Sequence, residues 1–92
     1  MNLRKEARNR PCMIRAPGIC NGDDSTTVLC HISGGGMGMK KPDLIATWGC
    51  SDCHDAIDGR RYGLEKDYRR LLALEGMQRT QEQLISEGKV KW

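Results

Sequence analysis

Five cysteines in a 92-residue chain, at positions 12, 20, 30, 50 and 53, constrain the fold more than any other feature. A domain of this length buries only about 60–65% of its extended-chain surface. With no Phe and 38% apolar residues, little is left to build a core from. A metal, a disulfide or a partner then has to supplement it. An odd number of cysteines cannot pair off completely. The opening Met1-Asn2-Leu3-Arg4-Lys5-Glu6 is too polar for a signal peptide. The expected location is therefore cytoplasmic, a reducing compartment where disulfides do not persist. No stretch approaches the roughly 18 apolar residues of a membrane span, so no membrane partner is expected.

Cys50-Ser51-Asp52-Cys53 has the two-residue gap of a metal knuckle. Cys12 and Cys20 are the candidate second half. Seven residues lie between them, wider than the usual zinc-ribbon gap of roughly two to four. Pro17-Gly18 supplies a turn that folds the chain back. Four thiolates then make a closed, tetrahedral, structural Zn2+ site. Competing readings stand beside it. Cys50 and Cys53 suit a redox pair, although no βαβ context surrounds them, and buried cysteines also pack as small apolar residues. His54 would serve as fourth ligand in a Cys₃His set, although Cys53 and His54, being adjacent, point to different sides of a helix. Cys30 is the spare, read as a core-facing strand residue.

The remaining pattern gives an α+β chain without repeats or linkers, a single domain over residues 1–92. Residues 1–11 form a basic arm or a short helix. Thr26–Ile32 alternates as a strand, and Gly34, Gly35, Gly36 and Gly38 follow it as a loop. Asp43–Trp48 reads as a second strand. A helix starting near Ser51 carries Cys53, His54, Ile57 and Asp58, with Asp43 or Ser51 as the candidate cap. Residues 64–88 read as a long C-terminal helix. Leu64, Tyr68, Leu71 and Leu72 share its apolar face, and Leu84 and Ile85 resume it. Gly76 is its weak point, costing about 1 kcal/mol against Ala.

Each of the two histidines adjoins a cysteine. The chain order is strand, His31, loop, Asp43-Leu44, strand, Cys50-x-x-Cys53-His54, helix. This order resembles the HNH nucleases, whose ββα-metal module places a base histidine on a hairpin and a metal-binding histidine on the following helix. More narrowly, five strings resemble the YbcO-like nucleases of lambdoid prophages. They begin at Leu3 (LRKEAR), Pro17 (PGICNG), Lys41 (KPDLIAT), Cys50 (CSDCHDAID) and Leu74 (LEGMQRTQ). The resemblance implies a small ββα-metal core with a structural zinc site, and an endonuclease that hydrolyses DNA. It implies His31 as general base and Asp43 as the group that orients it. His54 and Asp58, four apart on one helix face, would hold a catalytic divalent ion such as Mg2+ or Mn2+. Two positions depart from the family pattern. Asp43 replaces the usual Asn, and Cys30 stands where many relatives carry a metal-binding Asp. A thiolate is a poor Mg2+ ligand, which leaves water at that position, a different ion, or an inactive site.

Charge agrees with a nucleic-acid partner. Residues 1–15 carry a net +4 and residues 60–70 a net +3, while residues 50–58 hold three Asp and no Lys or Arg. An acidic pocket flanked by basic ground suits a metal-dependent nuclease. No aromatics interleave with the basic residues, so contacts should go to DNA phosphates with weak sequence preference. Two rivals remain. One is a non-catalytic zinc module that binds nucleic acid or a recombination protein. The other is a redox sensor using Cys30, which would need that thiol accessible and acidic.

Overall fold

The structure, a computed structural model, describes residues 2–32 and 43–90. The glycine-rich stretch expected to close the hairpin lies outside them. The chain opens with a short helix, α1 (Leu3–Glu6), where the Asn2 side chain accepts from the backbone N–H of Arg4 and Lys5. A strand β1 (Val28–His31) pairs antiparallel with β2 (Ala46–Gly49), placing His31 opposite Ala46 and Cys30 opposite Thr47. Both strands are shorter than their sequence patterns. Thr26 closes a 3₁₀ turn (Asp24–Thr26), and Asp43 sits in the turn before β2 rather than opening it.

Helix α2 (Ser51–Ile57) follows β2 directly. Its cap is neither Asp43 nor Ser51. The Cys50 sulfur accepts from the N–H of Cys53 at 3.4 Å, so one residue both caps the helix and contributes to the thiol cluster described below. Helix α3 (Lys66–Ser86) ends in a Schellman arrangement. Gly88 takes φ +73°, its N–H bonds Ile85 O, and the N–H of Lys89 bonds Leu84 O.

The buried face of α3 differs from the apolar stripe of the sequence. Leu72, Ala73, Gly76, Thr80 and Leu84 face inward, whereas Tyr68, Leu71, Leu74 and Ile85 are exposed. Small residues win because α3 lies directly on β2. Thr80 Oγ1 accepts from the N–H of Trp48 at 3.0 Å and donates to Gly76 O at 2.9 Å. Met13 donates its N–H to Trp48 O at 2.8 Å. The outer edge of a two-stranded sheet is thus covered on both its donor and its acceptor. Gly76 is a fit requirement rather than a defect. A Cβ there would stand 2.5 Å from Thr47 Oγ1 and 3.2 Å from the Ile14 backbone.

Trp48, 1% exposed, supplies the bulk that the absent Phe would have given. It packs with Ala7, Met13 and Leu84, and the Arg10 guanidinium lies 4.7 Å over its ring. Arg10 then makes two hydrogen bonds to Glu87, at 2.6 and 2.7 Å, and Lys89 bonds Glu6. The two ends of the chain are therefore joined by a four-residue ion network. The Arg10 guanidinium, chiefly, holds the Glu87 carboxyl well below the ordinary carboxylate range, and the hydrogen bond from Lys89, chiefly, lowers that of Glu6.

Two outcomes are expected. Gly76→Ala should destabilise the domain by about 1–2 kcal/mol, because overpacking of about 1–3 kcal/mol exceeds the helix-propensity gain of about 1 kcal/mol. Denaturant melts check this, and a stabilised variant would contradict the close approach. The ion network contributes fully above the ordinary Glu pKa of about 4.3 and is lost as pH falls through the lower folded-state values. Glu87→Gln should therefore melt below wild type at pH 7, with the gap closing as the pH drops below about 4. A gap independent of pH would count against the network.

Candidate metal centre and active site

Three segments deliver the four thiols. Cys12 directly precedes Met13, whose N–H bonds Trp48 O. Cys20 is brought back by the Pro17-Gly18 turn, in which Gly18 takes φ +73° and Ala16 O accepts from the N–H groups of Ile19 and Cys20 at 3.1 and 3.0 Å. That positive φ is the conformation a type II turn asks of its third residue. Cys50 and Cys53 come from the start of α2. All four sulfurs lie within 4.8 Å of one another, and Cys50 and Cys20 are 4.0 Å apart. Thiolates about 2.3 Å from a tetrahedral Zn2+ stand about 3.8 Å apart, so binding requires the sulfurs to move by no more than about 1 Å. The donor set is soft, closed and largely buried, which fits structural zinc. As thiols, Cys12 and Cys53 compete for a proton. The hydrogen bond from Cys53 pulls Cys12 down to about 4, and the same contact pushes Cys53 up.

These four are the one cluster of three or more metal-ligating side chains among the described residues. His54 does not belong to it, so the Cys₃His alternative gives way to Cys₄. Cys30 stands apart. It is fully buried, its sulfur directed at Val28 O and Gly49 O, and burial, chiefly, pushes its thiol up to about 12. That environment is the opposite of what the redox-sensor reading needs, and it matches the core-facing role.

The histidines lie elsewhere. His31 ends β1, with Nε2 2.7 Å from Asp43 Oδ1. This hydrogen bond, chiefly, lowers the Asp43 pKa, and Arg4 Nε stands 3.6 Å from the same oxygen. His54 Nε2 is 3.2 Å from Asp58 Oδ2, an i,i+4 pair at the end of α2. A cleft of about 370 Å³ opens between β1, α2 and α3, lined by His31, Asp58, Lys66, Arg69 and Arg70 over Ile32 and Ile57. His31 and Asp58 therefore share one hollow. His54 meets it through Asp58 and is not itself among the lining residues.

The charge reading of residues 60–70 did not foresee that Lys66, Arg69 and Arg70 would face His31. A signal was present in the sequence. Three cations crowd the first turns of a helix, the end where the macrodipole disfavours them. Gly59 reads in the sequence only as punctuation after the helix, and at φ +75° it also makes room for Arg69. A Cβ there would collide with the Arg69 guanidinium.

The thiol centre leads to a direct expectation. One zinc should be found per chain by native mass spectrometry, and complete chelation should abolish cooperative unfolding, because ligand free energy in small sites is folding free energy. Cys12→Ser should bind zinc more weakly and melt earlier. Cooperative melting retained after full zinc removal would overturn the structural role.

Comparison with known proteins places this geometry in a family. The family model described as "Putative nuclease YbcO" matches residues 1–89. Proteins of that name from Escherichia coli (strain K12) and Enterobacteria phage 82 are each 50% identical over 93 aligned positions, covering 98% of this chain and 97% of theirs. A solved structure described as a putative bacteriophage protein from Escherichia coli K-12 superposes with a TM-score of 0.82 at 49% identity, covering 95% of this chain and all of that one. Among the described residues no helix is long and apolar enough to cross a membrane. With a family model spanning nearly its whole length and relatives at half identity, the chain belongs to the YbcO nuclease family.

Proposed function

We propose that the chain is a metal-dependent HNH-type endonuclease that hydrolyses DNA phosphodiester bonds, with His31 as general base. The observation that carries this is the 2.7 Å contact between His31 and Asp43 at the edge of a cleft that also holds Asp58. An ionised Asp43 accepts a hydrogen bond from Nε2–H, which selects the tautomer and leaves Nδ1 to take a proton from water. The water oxygen then bonds phosphorus as the bond to the 3′ oxygen breaks. Asp43 thus does what the family's Asn does, by a carboxylate.

His54 and Asp58 fit a hard divalent ion such as Mg2+ or Mn2+. One imidazole and one carboxylate stand 3.2 Å apart, about the spacing of neighbouring ligands on one ion. When bound, such an ion would supply Lewis-acid charge at the phosphoryl oxygen. Cys30 contributes no ligand in this reading. The second reading, a non-catalytic zinc module on nucleic acid, draws on the same pair, because no third protein ligand joins it among the described residues.

Plasmid nicking with added Mg2+ or Mn2+ separates the two. Wild type should nick, and His31→Ala should lose about 10²–10⁴-fold with zinc content and melting unchanged. Asp43→Ala should lose less. A wild type that cuts under neither ion, while still binding DNA, leaves the binding module as the better description.

A further inference from the structure

We infer that Lys66 and Arg70 on one side of His31, and Arg4 and Arg8 on the other, form a continuous track for the backbone phosphates of a DNA duplex; this rests on the nuclease reading for its location but not for its chemistry. His31 is the residue common to two hollows. The first is the cleft with Lys66, Arg69 and Arg70. The second, of about 320 Å³, is lined by Arg4, Arg8 and the β1 residues Val28 and Leu29. Asp58 is the one carboxylate lining either.

The cations of the first cleft are uncommitted. Lys66, Arg69 and Arg70 make no ion pair among the described residues, whereas nearby Arg60 and Arg61 are held by Asp58, Asp52 and Asp55. The Arg69 guanidinium is seated against Gly59, and its Nε is buried without a hydrogen-bond partner. Glu65, at the start of α3, makes no side-chain cap. Three like charges are therefore assembled beside uncapped backbone donors, an arrangement that an anion relieves. A small anion would need only one hollow. Two hollows meeting at His31 suit a polyanion that runs across it. No tyrosine or tryptophan lines either one, so there is no platform for stacked bases and the ligand is a duplex backbone.

Salt-dependent binding tests this without cleavage. Fluorescence anisotropy with a short labelled DNA duplex, and no added divalent ion, gives the slope of log K against log salt. Each lost phosphate contact lowers that slope by about 0.9. Lys66→Gln/Arg70→Gln and Arg4→Gln/Arg8→Gln should each lower it by about 2. All four side chains are exposed, so melting and zinc content should hold, which is checked in parallel. Arg15→Gln removes a charge that lines neither hollow and should leave the slope alone. An unchanged slope in either double variant, an equal loss per charge in Arg15→Gln, or tighter binding of a single strand of the same sequence would overturn the track. If wild type binds and the slopes fall as stated but no ion supports cutting, the track stands and the nuclease reading fails. Cutting with unchanged slopes gives the converse.

Discussion

The approach of four thiols to within 4.8 Å fixes the rest of the molecule. It ties the Cys12–Cys20 loop, which also bonds β2 through Met13 N–H and Trp48 O, to the junction of β2 and α2. Cys50 stands at the centre of this arrangement, since its sulfur belongs to the cluster and also caps α2. The start of α2 is therefore set by the same atom that would bind the ion. The helix ends at Ile57, and its C-cap residue Asp58 lines one cleft with His31. A chain with no Phe, and two strands among its described residues, has few other means of holding them against a helix.

The second organising contact is α3 on β2. It works through Gly76, Thr80 and Ala73, which let the helix come close enough for a hydroxyl to replace a missing neighbouring strand. This contact presents the first turns of α3 to the cleft, so packing at one end of the helix places charge at the other. Structure and electrostatics meet at Arg69, seated on Gly59 beside the cleft.

Much of this was legible in the residues. The Cys₄ set followed from the knuckle at Cys50 and the turn at Pro17-Gly18, because thiol chemistry and turn chemistry are both local. The strand–strand–helix order followed from alternation and from the family strings. The face of α3 was legible only in part: Leu72 and Leu84 are buried as the periodicity has it, whereas Tyr68, Leu71 and Ile85 are exposed. Leucine periodicity also pointed to Leu71 and Tyr68, but where α3 approaches β2 most closely Gly76 and Thr80 face inward, a property of the partner surface rather than of the helix. The cap of α2 was missed for a similar reason. Cysteine is not a usual capping residue, and it serves here because its sulfur is already held in place by the cluster.

The central proposal is that one ion sits among the four sulfurs and a separate hard ion at His54 and Asp58, beside the cleft that Asp58 and His31 line. A crystal structure grown with Mn2+, with anomalous maps collected at the zinc and manganese edges, tests it most directly. The expected result is zinc among Cys12, Cys20, Cys50 and Cys53, and manganese bound by His54 Nε2 and an oxygen of Asp58. Manganese absent from that pair, or His54 turned onto the zinc, would contradict it.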